Sequence, residues 1–428
     1  MRLTADWRGV LHLGRMSSAY FATTVINQAI PFLLLPVLTR YLNPAAYANI
    51  ALFGLFLALS NSLAGVSVHA VISKNHFELP RRELSRVIGD AITVVALLSS
   101  LVILLFAGLR GLFGAALGMP LVWLLLTPVA SFFFIVFQMG LNVLRNENRV
   151  LAFSLQQIGN TLMNALASLL LVVGLWLGWQ GRVWGIVISL AASAAWSFAR
   201  MRRDGFVRFA VRRGGMRDVL RVVLPLIPNS FQSVVIAQAG ILIILQYFGK
   251  ETLGVYSVAF QIALAVKLLV ETLGLSWSPF LYGQLSKPGE VNRMYVTRLL
   301  YGHIGIVFAG LVLLNLFSGP ILKVMTAPAF RDARQFIPWL TLGFFFQGIH
   351  AFLFPILIKF ERQRFISLVS LAHMGLLVAL TVGMMKPFGP IGVVYAFCLT
   401  YFTMFLAFAW KSQRVFPMPL LRALKIWG

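Results

Sequence analysis

The dominant pattern along the chain is a series of apolar runs separated by short polar segments. Runs of roughly 20 residues recur from end to end, and a helix of that length crosses the ~30 Å hydrocarbon core of a bilayer. Twelve such runs lie at 17–38, 50–73, 88–108, 121–143, 153–178, 183–199, 222–248, 256–279, 296–318, 335–358, 366–385 and 389–410. The sequence therefore predicts an all-α integral membrane protein with about twelve transmembrane helices.

Composition and charge support this prediction. Only 11% of the 428 residues are charged and 59% are hydrophobic, which is too few charges to cover a soluble protein of this size. The net charge of +24 does not indicate nucleic-acid binding, because the basic residues are scattered among short loops. Most of them fall in the loops that share a side with the N-terminus, so the positive-inside rule predicts that both termini are cytoplasmic. The single cysteine, Cys398, excludes disulfides within one chain and cysteine metal clusters.

A basic segment divides the chain in the middle. It reads MRRDGFVRFAVRRGGMRDVLR (201–221) and separates six predicted spans on either side. We therefore predict a six-helix bundle at 1–200, a cytoplasmic linker at 201–221, a second bundle at 222–410 and a basic interfacial tail at 411–428. The linker either sets topology and touches anionic lipid headgroups, or forms a docking site for a cytoplasmic partner.

Two charged residues interrupt the predicted eighth span. Lys267 and Glu271 are four residues apart, so they share one helix face and can pair. Each charge costs about 2.5–3.5 kcal/mol at the centre of a membrane helix, so this face should point into the bundle or a wet cavity. Two interpretations remain open. The pair either locks the span to a neighbour, or Lys267 attracts an anionic substrate while Glu271 tunes it or binds a coupling proton.

Neutral polar residues form stripes on other spans. Amides and hydroxyls can bind carbohydrate hydroxyls, but they can equally form hydrogen bonds between helices, which contribute about 0.6 kcal/mol each in membrane proteins. The candidate substrate-binding residues in these stripes are Asn27 and Gln28 in the first span, Gln157, Asn160 and Asn164 in the fifth, and Asn229 and Gln232 in the seventh.

Three further ionisable residues are candidates for function. His303 and His350 lie inside the ninth and tenth spans, where they either pack as hydrogen-bonded core residues or join Glu271 in coupling transport to an ion. Arg40 lies at the outer end of the first span. It either guides an anionic headgroup outward or extends its side chain to the membrane interface.

No enzyme or cofactor motif is present in the sequence. There is no P-loop, no paired-carboxylate hydrolase motif and no metal-ligand spacing, so we expect no cofactor. A membrane polymerase or ligase remains an alternative, but such enzymes need catalytic residues on a large outer loop. Here the longest predicted outer loop, 319–334, contains only one acid, Asp332.

Several stretches resemble bacterial polysaccharide repeat-unit (Wzx-type) flippases of the multidrug/oligosaccharidyl-lipid/polysaccharide exporter superfamily. INQAIPFLLLPVLTRYLNPAAYANIALF (26–53) is similar to the opening of these proteins, and FGKETLGVYSVAFQIA (248–263) is similar to their second-half elbow. QGRVWGIVIS (180–189) and FGPIGVVYAF (388–397) resemble their glycine-containing approaches to spans 6 and 12.

The resemblance implies a V of two six-helix lobes around a central cavity, in the bacterial inner membrane. It also implies alternating access for a lipid-linked oligosaccharide carried on undecaprenyl diphosphate, in surface polysaccharide biosynthesis such as that of O-antigen or exopolysaccharide. The implied partners are this anionic polyprenyl-linked glycan, membrane lipids, a polysaccharide polymerase and a chain-length regulator. Among transporters, a multidrug exporter of the same superfamily is the first alternative. A peptidoglycan-precursor flippase is another, although relatives of that type usually have two additional spans.

The topology can be tested with reporter fusions. A fluorescent protein fused within 201–209 should fluoresce, because it folds in the cytoplasm, whereas alkaline phosphatase fused within 319–334 should be active. Active phosphatase in the 201–209 fusion would contradict the predicted orientation.

Overall fold

A computed structural model describes residues 32–65, 67–111, 118–209, 213–285 and 290–420, together with Thr23, Ile26, Asn27, Ile30 and Arg422. All regular structure in these residues is helical. The helices are α1 (Phe32–Tyr41), α2 (Pro44–Leu63), α3 (Val68–Glu78), α4 (Arg81–Gly108), α5 (Leu121–Asn146), α6 (Val150–Leu169), α7 (Gly178–Arg203), α8 (Arg213–Val223), α9 (Ile227–Leu285), α10 (Glu290–Met325), α11 (Ile337–Lys359), α12 (Gln363–Phe388) and α13 (Pro390–Val415). A wider π-turn, Leu170–Gly174, follows α6, and short 3₁₀ segments occupy Leu224–Leu226 and Pro328–Gln335.

Ten helices of the described residues are long and apolar enough to cross a membrane. The long helix α9 has 59 residues, and at 1.5 Å per residue it would be about three times as long as the hydrocarbon core is thick. Its backbone breaks at Gly249, where φ is 79°, a conformation that glycine adopts without a steric penalty. The break separates two membrane passes, so the helices are consistent with the predicted twelve once α1 is included.

The described residues divide into two compact units, one up to Gln238 and one from Ala239. Each unit has its own apolar core. The first core gathers buried residues of α3, α4, α5, α7 and α8. The second gathers those of α9, α10, α11, α13 and the segment after α13, and partly buried residues of α12 pack against it. Large apolar side chains also cover outer faces: Leu97, Leu101 and Leu104 of α4 are more than half exposed, as expected of a face that contacts lipid.

Part of the segment predicted as a linker packs tightly against the first unit. In α8, Val219 and Val223 are buried in the core, while Arg217 and Asp218 of the same helix are exposed. The chain before α8 crosses α4, where the amide of Arg208 donates to the carbonyl of Ser85 at 3.0 Å. This part of the segment is thus a structural element of the first unit.

Asp204 ties this segment to neighbouring helix ends. Its carboxylate lies 2.6 Å from Nη1 of Arg149 and 3.5 Å from Nε of Arg203, and its carbonyl accepts from Arg81 at 2.8 Å. Burial raises the pKa of this carboxyl, but the hydrogen bonds and charges of the two arginines outweigh burial and hold the pKa below its ordinary value. The carboxylate therefore stabilises the fold at neutral pH, and this contribution is lost as the pH falls through the lowered pKa.

Because the segment at Arg208 crosses α4 next to Gly89, we expect a larger side chain at Gly89 to destabilise the protein. A Cβ at Gly89 would collide with the carbonyl of Arg208, whereas a Cβ at Gly159 of α6 has no atom within 4 Å. Gly89→Val should therefore lower stability by about 1–3 kcal/mol relative to Gly159→Val, since the colliding atom is backbone. Thermal unfolding of the two detergent-solubilised variants measures this difference, and equal unfolding temperatures would show that the crossing does not constrain α4.

Candidate substrate cavity and the polar helix faces

The second unit contains a cavity of about 350 Å³ lined by α9, α10 and α11. Its polar lining consists of Lys267, Glu271, His303, Gln347 and His350. The apolar part of the lining consists of Val270, Gly274, Trp277, Leu281, Ala351, Phe352, Phe354 and Pro355. An apolar and aromatic wall with a few polar groups is typical of a small-molecule site.

The charged residues of the eighth predicted span pair within this cavity. Nζ of Lys267 lies 3.4 Å from Oε1 of Glu271, and the two side chains are 36% and 48% exposed. The pairing predicted from the sequence is confirmed, and both side chains line the cavity. Because both side chains remain accessible, the pair contributes less than about 1 kcal/mol to stability. It is therefore a weak lock, and both charges stay available to cavity contents.

A glycine sets the shape of the cavity wall. A Cβ at Gly348 of α11 would lie 2.7 Å from Cγ2 of Val270, so glycine lets α11 approach α9 closely. The carbonyl of Gly348 in turn lies 3.0 Å from Nε2 of His303. This contact fixes the imidazole of α10 against the backbone of α11.

Three lining residues each have a buried polar atom without a hydrogen-bond partner among the described residues. These atoms are Nδ1 of His303, Nε2 of His350 and Oε1 of Gln347. The other end of the Gln347 amide donates to Oη of Tyr401 at 3.3 Å. A buried unpaired polar atom costs about 1–3 kcal/mol, and water or a ligand in the cavity can remove that cost. The cavity is thus suited to polar contents.

The polar stripe of the fifth predicted span lies elsewhere, on α6 in the first unit. Oδ1 of Asn160 accepts from Ser193 at 3.0 Å, and Nδ2 of Asn164 donates to Ser189 at 3.1 Å, so both amides bind α7. Oδ1 of Asn27 accepts from Thr161 of α6 at 2.6 Å. In this structure the three amides form hydrogen bonds between helices. This is one of the two roles that the sequence allowed for them, the other being the binding of carbohydrate hydroxyls.

The remaining candidates have other placements. Oε1 of Gln157 is buried without a partner among the described residues, and Arg40 is exposed at the end of α1. Gln28 lies outside the described residues, and the structure describes only the helical backbone of Asn229 and Gln232. A substrate-binding role for these residues stays a prediction.

Sequence reasoning missed two cavity residues, Gln347 and Trp277. Gln347 lies three residues before His350, so helical spacing places the two on one face of α11. Trp277 lies ten residues after Lys267, and its ring contacts His303 with a centroid distance of 5.9 Å. Tracing the Lys267 face along its helix would have found it.

The opposite flank of the same helix lines an apolar groove. This groove has a volume of about 660 Å³ and is formed by α9 and α10, with Val266 and Leu269 on α9 and Leu313 and Phe317 on α10. The stretch 265–271 therefore presents charged groups to the cavity and only apolar groups to the groove.

Comparison with known proteins identifies the family. Residues 13–282, more than half of the chain, match the family model described as polysaccharide biosynthesis protein. The chain belongs to this family. A protein of the Lsg locus of Haemophilus influenzae is 21% identical over 307 residues, covering 69% of this chain and 73% of that protein.

Solved structures show the same fold. The lipid II flippase MurJ in its inward closed conformation has a TM-score of 0.74 at 15% identity, covering 96% of this chain and 89% of that one. A multidrug resistance transporter of the MATE family and MOP superfamily, in its inward-facing conformation, has a TM-score of 0.70 at 13% identity, covering 92% and 95%.

These findings confirm the all-α transporter fold predicted from the sequence. The protein is a multi-pass membrane protein with the fold of the MOP superfamily, which corresponds to the multidrug/oligosaccharidyl-lipid/polysaccharide exporters. Its family and structural neighbours are transporters and flippases rather than enzymes.

The two flanks of the 265–271 stretch predict different accessibility to water. In a Cys398→Ala background, Lys267→Cys and Glu271→Cys should react with a charged, membrane-impermeant thiol reagent roughly tenfold or more faster than Leu269→Cys, because only a hydrated thiol ionises readily. Labelling rates measured in proteoliposomes test this, and equal rates at all three positions would mean that the two flanks do not differ in their access to water.

Proposed function

We propose that the protein is a flippase for a lipid-linked oligosaccharide repeat unit used in surface polysaccharide biosynthesis. The repeat unit, carried on undecaprenyl diphosphate, crosses from the cytoplasmic to the outer leaflet by alternating access. The observation that carries this proposal is the cavity in the second unit. It combines an accessible cation, Lys267, with unpaired polar atoms of Gln347, His303 and His350 and with aromatic walls.

Each part of the cavity suits a part of such a substrate. The ammonium of Lys267 is a point charge that binds phosphate oxygens. Neutral amide and imidazole groups can exchange hydrogen bonds with sugar hydroxyls. Trp277 and Phe352 offer flat apolar faces against which a sugar ring can pack. The family to which the chain belongs, and the MurJ fold, support a substrate of this class.

Glu271 supplies the other half of the proposal. A carboxylate 3.4 Å from the Lys267 ammonium is its counter-ion while the cavity is empty. Displaced from lysine by substrate, it becomes free to accept a proton or a metal cation, and His303 and His350 in the same wall can pass protons. Coupling to a proton or cation gradient therefore belongs to the proposal.

The proposal places the protein in the bacterial inner membrane with both termini in the cytoplasm. Its partners are the lipid-linked glycan, the surrounding lipids, and the polymerase and chain-length regulator that would use the flipped unit. The exposed basic residues Arg202, Arg203 and Arg217 suit contact with anionic headgroups on the cytoplasmic side.

Reconstituted flipping tests the proposal. Wild-type protein in proteoliposomes should flip a polyprenyl-diphosphate oligosaccharide, and Lys267→Ala should slow flipping roughly tenfold or more, because a charged hydrogen bond contributes about 1.5–3 kcal/mol. Lys323→Ala is the matched control, since Lys323 is exposed near the end of α10 and does not line the cavity. A Lys267→Ala variant as fast as the control would remove the cavity lysine from the mechanism.

The alternative is an ion-coupled multidrug exporter. The likeness to a MATE transporter supports it, as does the accessible Glu271, which suits cationic compounds. Efflux of a cationic dye that requires Glu271 but not Lys267, with no flipping of lipid-linked glycans, would favour the exporter.

A further inference from the structure

The first unit contains a cation that the proposed function does not use. Arg182 is the fifth residue of α7 and is partly buried. A Cβ at Gly181 would lie 2.8 Å from the carbonyl carbon of Leu171, and one at Gly185 would lie 2.8 Å from the amide nitrogen of Ser168. These two glycines let the start of α7 touch α6 on both sides of Arg182.

The guanidinium is held along α6 rather than extended to the membrane surface. Nη1 of Arg182 donates to Oγ of Ser168 at 2.6 Å and also to Oδ1 of Asn164. These residues are four apart on α6, so they lie on one face, and Asn164 is about 6 Å further from the start of α7 along the α6 axis. An arginine that extended to the interface would point the opposite way. Contacts of α6 and α7 therefore hold this charge along α6, away from the end of the span.

The charge has no carboxylate partner among the described residues. It interacts with the buried Tyr47 of α2, and its two hydrogen-bond acceptors are neutral. A guanidinium has five N–H donors, and the two on Nη1 are used. Nε and Nη2 have no hydrogen-bond partner among the described residues, and the N–H of Nε and one N–H of Nη2 lie side by side on one edge of the guanidinium.

Such an edge is suited to phosphate. Charged groups inside membrane helices are costly and usually pair with an opposite charge or face a polar pathway. The planar fork of arginine matches two oxygens of a phosphate or diphosphate, which a lysine cannot reproduce. Asn164 and Ser168 fix the opposite edge, so the fork is already oriented before an anion arrives.

We propose that Arg182, oriented by Asn164 and Ser168, is a binding residue of the first unit for the diphosphate of the lipid-linked substrate. This inference rests on the proposed function, because a diphosphate is the anion that a lipid-linked oligosaccharide brings into the membrane. It assigns the first unit a cation-based contact of its own, separate from Lys267 in the second unit. Asn164 then acts as a positioning residue and does not bind sugar directly.

Equilibrium binding to the purified full-length chain tests this role, with radiolabelled farnesyl diphosphate as the probe. Arg182→Gln should weaken binding roughly tenfold or more and Arg182→Lys less, since lysine keeps the charge but not the fork. Arg110→Gln is the matched control, because Arg110 is exposed at the end of α4, and it should leave affinity unchanged.

Selectivity separates binding from structural damage. Wild type should bind farnesyl diphosphate more tightly than farnesyl monophosphate. In Arg182→Gln the ratio of the two affinities should fall close to one. Damage to the α6–α7 contact would weaken both ligands equally and lower the unfolding temperature, and that result would overturn the assignment. Competition by dioleoyl phosphatidylglycerol as strong as that by unlabelled farnesyl diphosphate would also overturn it, because the site would then bind lipid phosphate in general.

The outcomes for this inference and for the proposed function can be distinguished. Full binding by Arg182→Gln, with binding lost in Lys267→Ala, would overturn the role of Arg182 and leave the flippase intact. A wild-type chain that binds no farnesyl diphosphate would overturn the role of Arg182, and the flipping assay would then decide the function independently.

Discussion

The hydrocarbon core offers no partner to a polar group, and the arrangement of this protein follows from that constraint. Backbone groups are satisfied within helices, and the one break inside α9 occurs at a glycine. Polar side chains in the spans form hydrogen bonds with one another, as Asn160 does with Ser193 and Asn27 with Thr161. Lys267 and Glu271, which stay accessible, are tolerated because they line a cavity. The same constraint thus builds the scaffold and makes the candidate site recognisable.

Much of the fold could be predicted because span length and charge asymmetry are local properties of a membrane sequence. The pairing of Lys267 with Glu271 was predictable for the same reason, since helical spacing alone places them together. The partners of the α6 stripe were not predictable. A row of amides on one face has the same pattern whether a neighbouring helix or a hydrated space lies opposite, and only packing shows that Asn160 and Asn164 meet α7.

Two further features depended on long-range contacts. The basic segment 201–221 has the composition of a solvated linker, yet its apolar residues Phe206 and Val219 are buried in the core of the first unit. Gln347 was missed because one amide in an aromatic span gives no periodic signal, and the cavity appears only when α9, α10 and α11 are brought together. Arg182 lies in the short loop between the fifth and sixth predicted spans, and its orientation along α6 emerges only from its bonds to that helix.

One fold serves both a lipid II flippase and multidrug transporters, so the fold alone does not select the cargo. Under the proposed function, selection rests on side-chain chemistry: the accessible Lys267 of the cavity in the second unit and the oriented guanidinium of Arg182 in the first. A drug exporter for cations has little use for either group, whereas an anionic lipid-linked glycan can use both. Family membership and site chemistry therefore favour the same substrate class by independent routes.

The partial exposure of the Lys267–Glu271 pair has a consequence for turnover. A buried ion pair would resist separation, and cargo would have to overcome that resistance at each cycle. The side chains of Lys267 and Glu271 are 36% and 48% exposed, so separating them costs little free energy. In the proposed function, an arriving diphosphate can therefore replace the carboxylate as the counter-ion of Lys267. Under the proposed function, the carboxylate returns to Lys267 when the cargo leaves, and the empty site is neutral again. A transporter built this way carries no net charge at this position through the membrane on its return step, which lets it reset without working against the membrane potential.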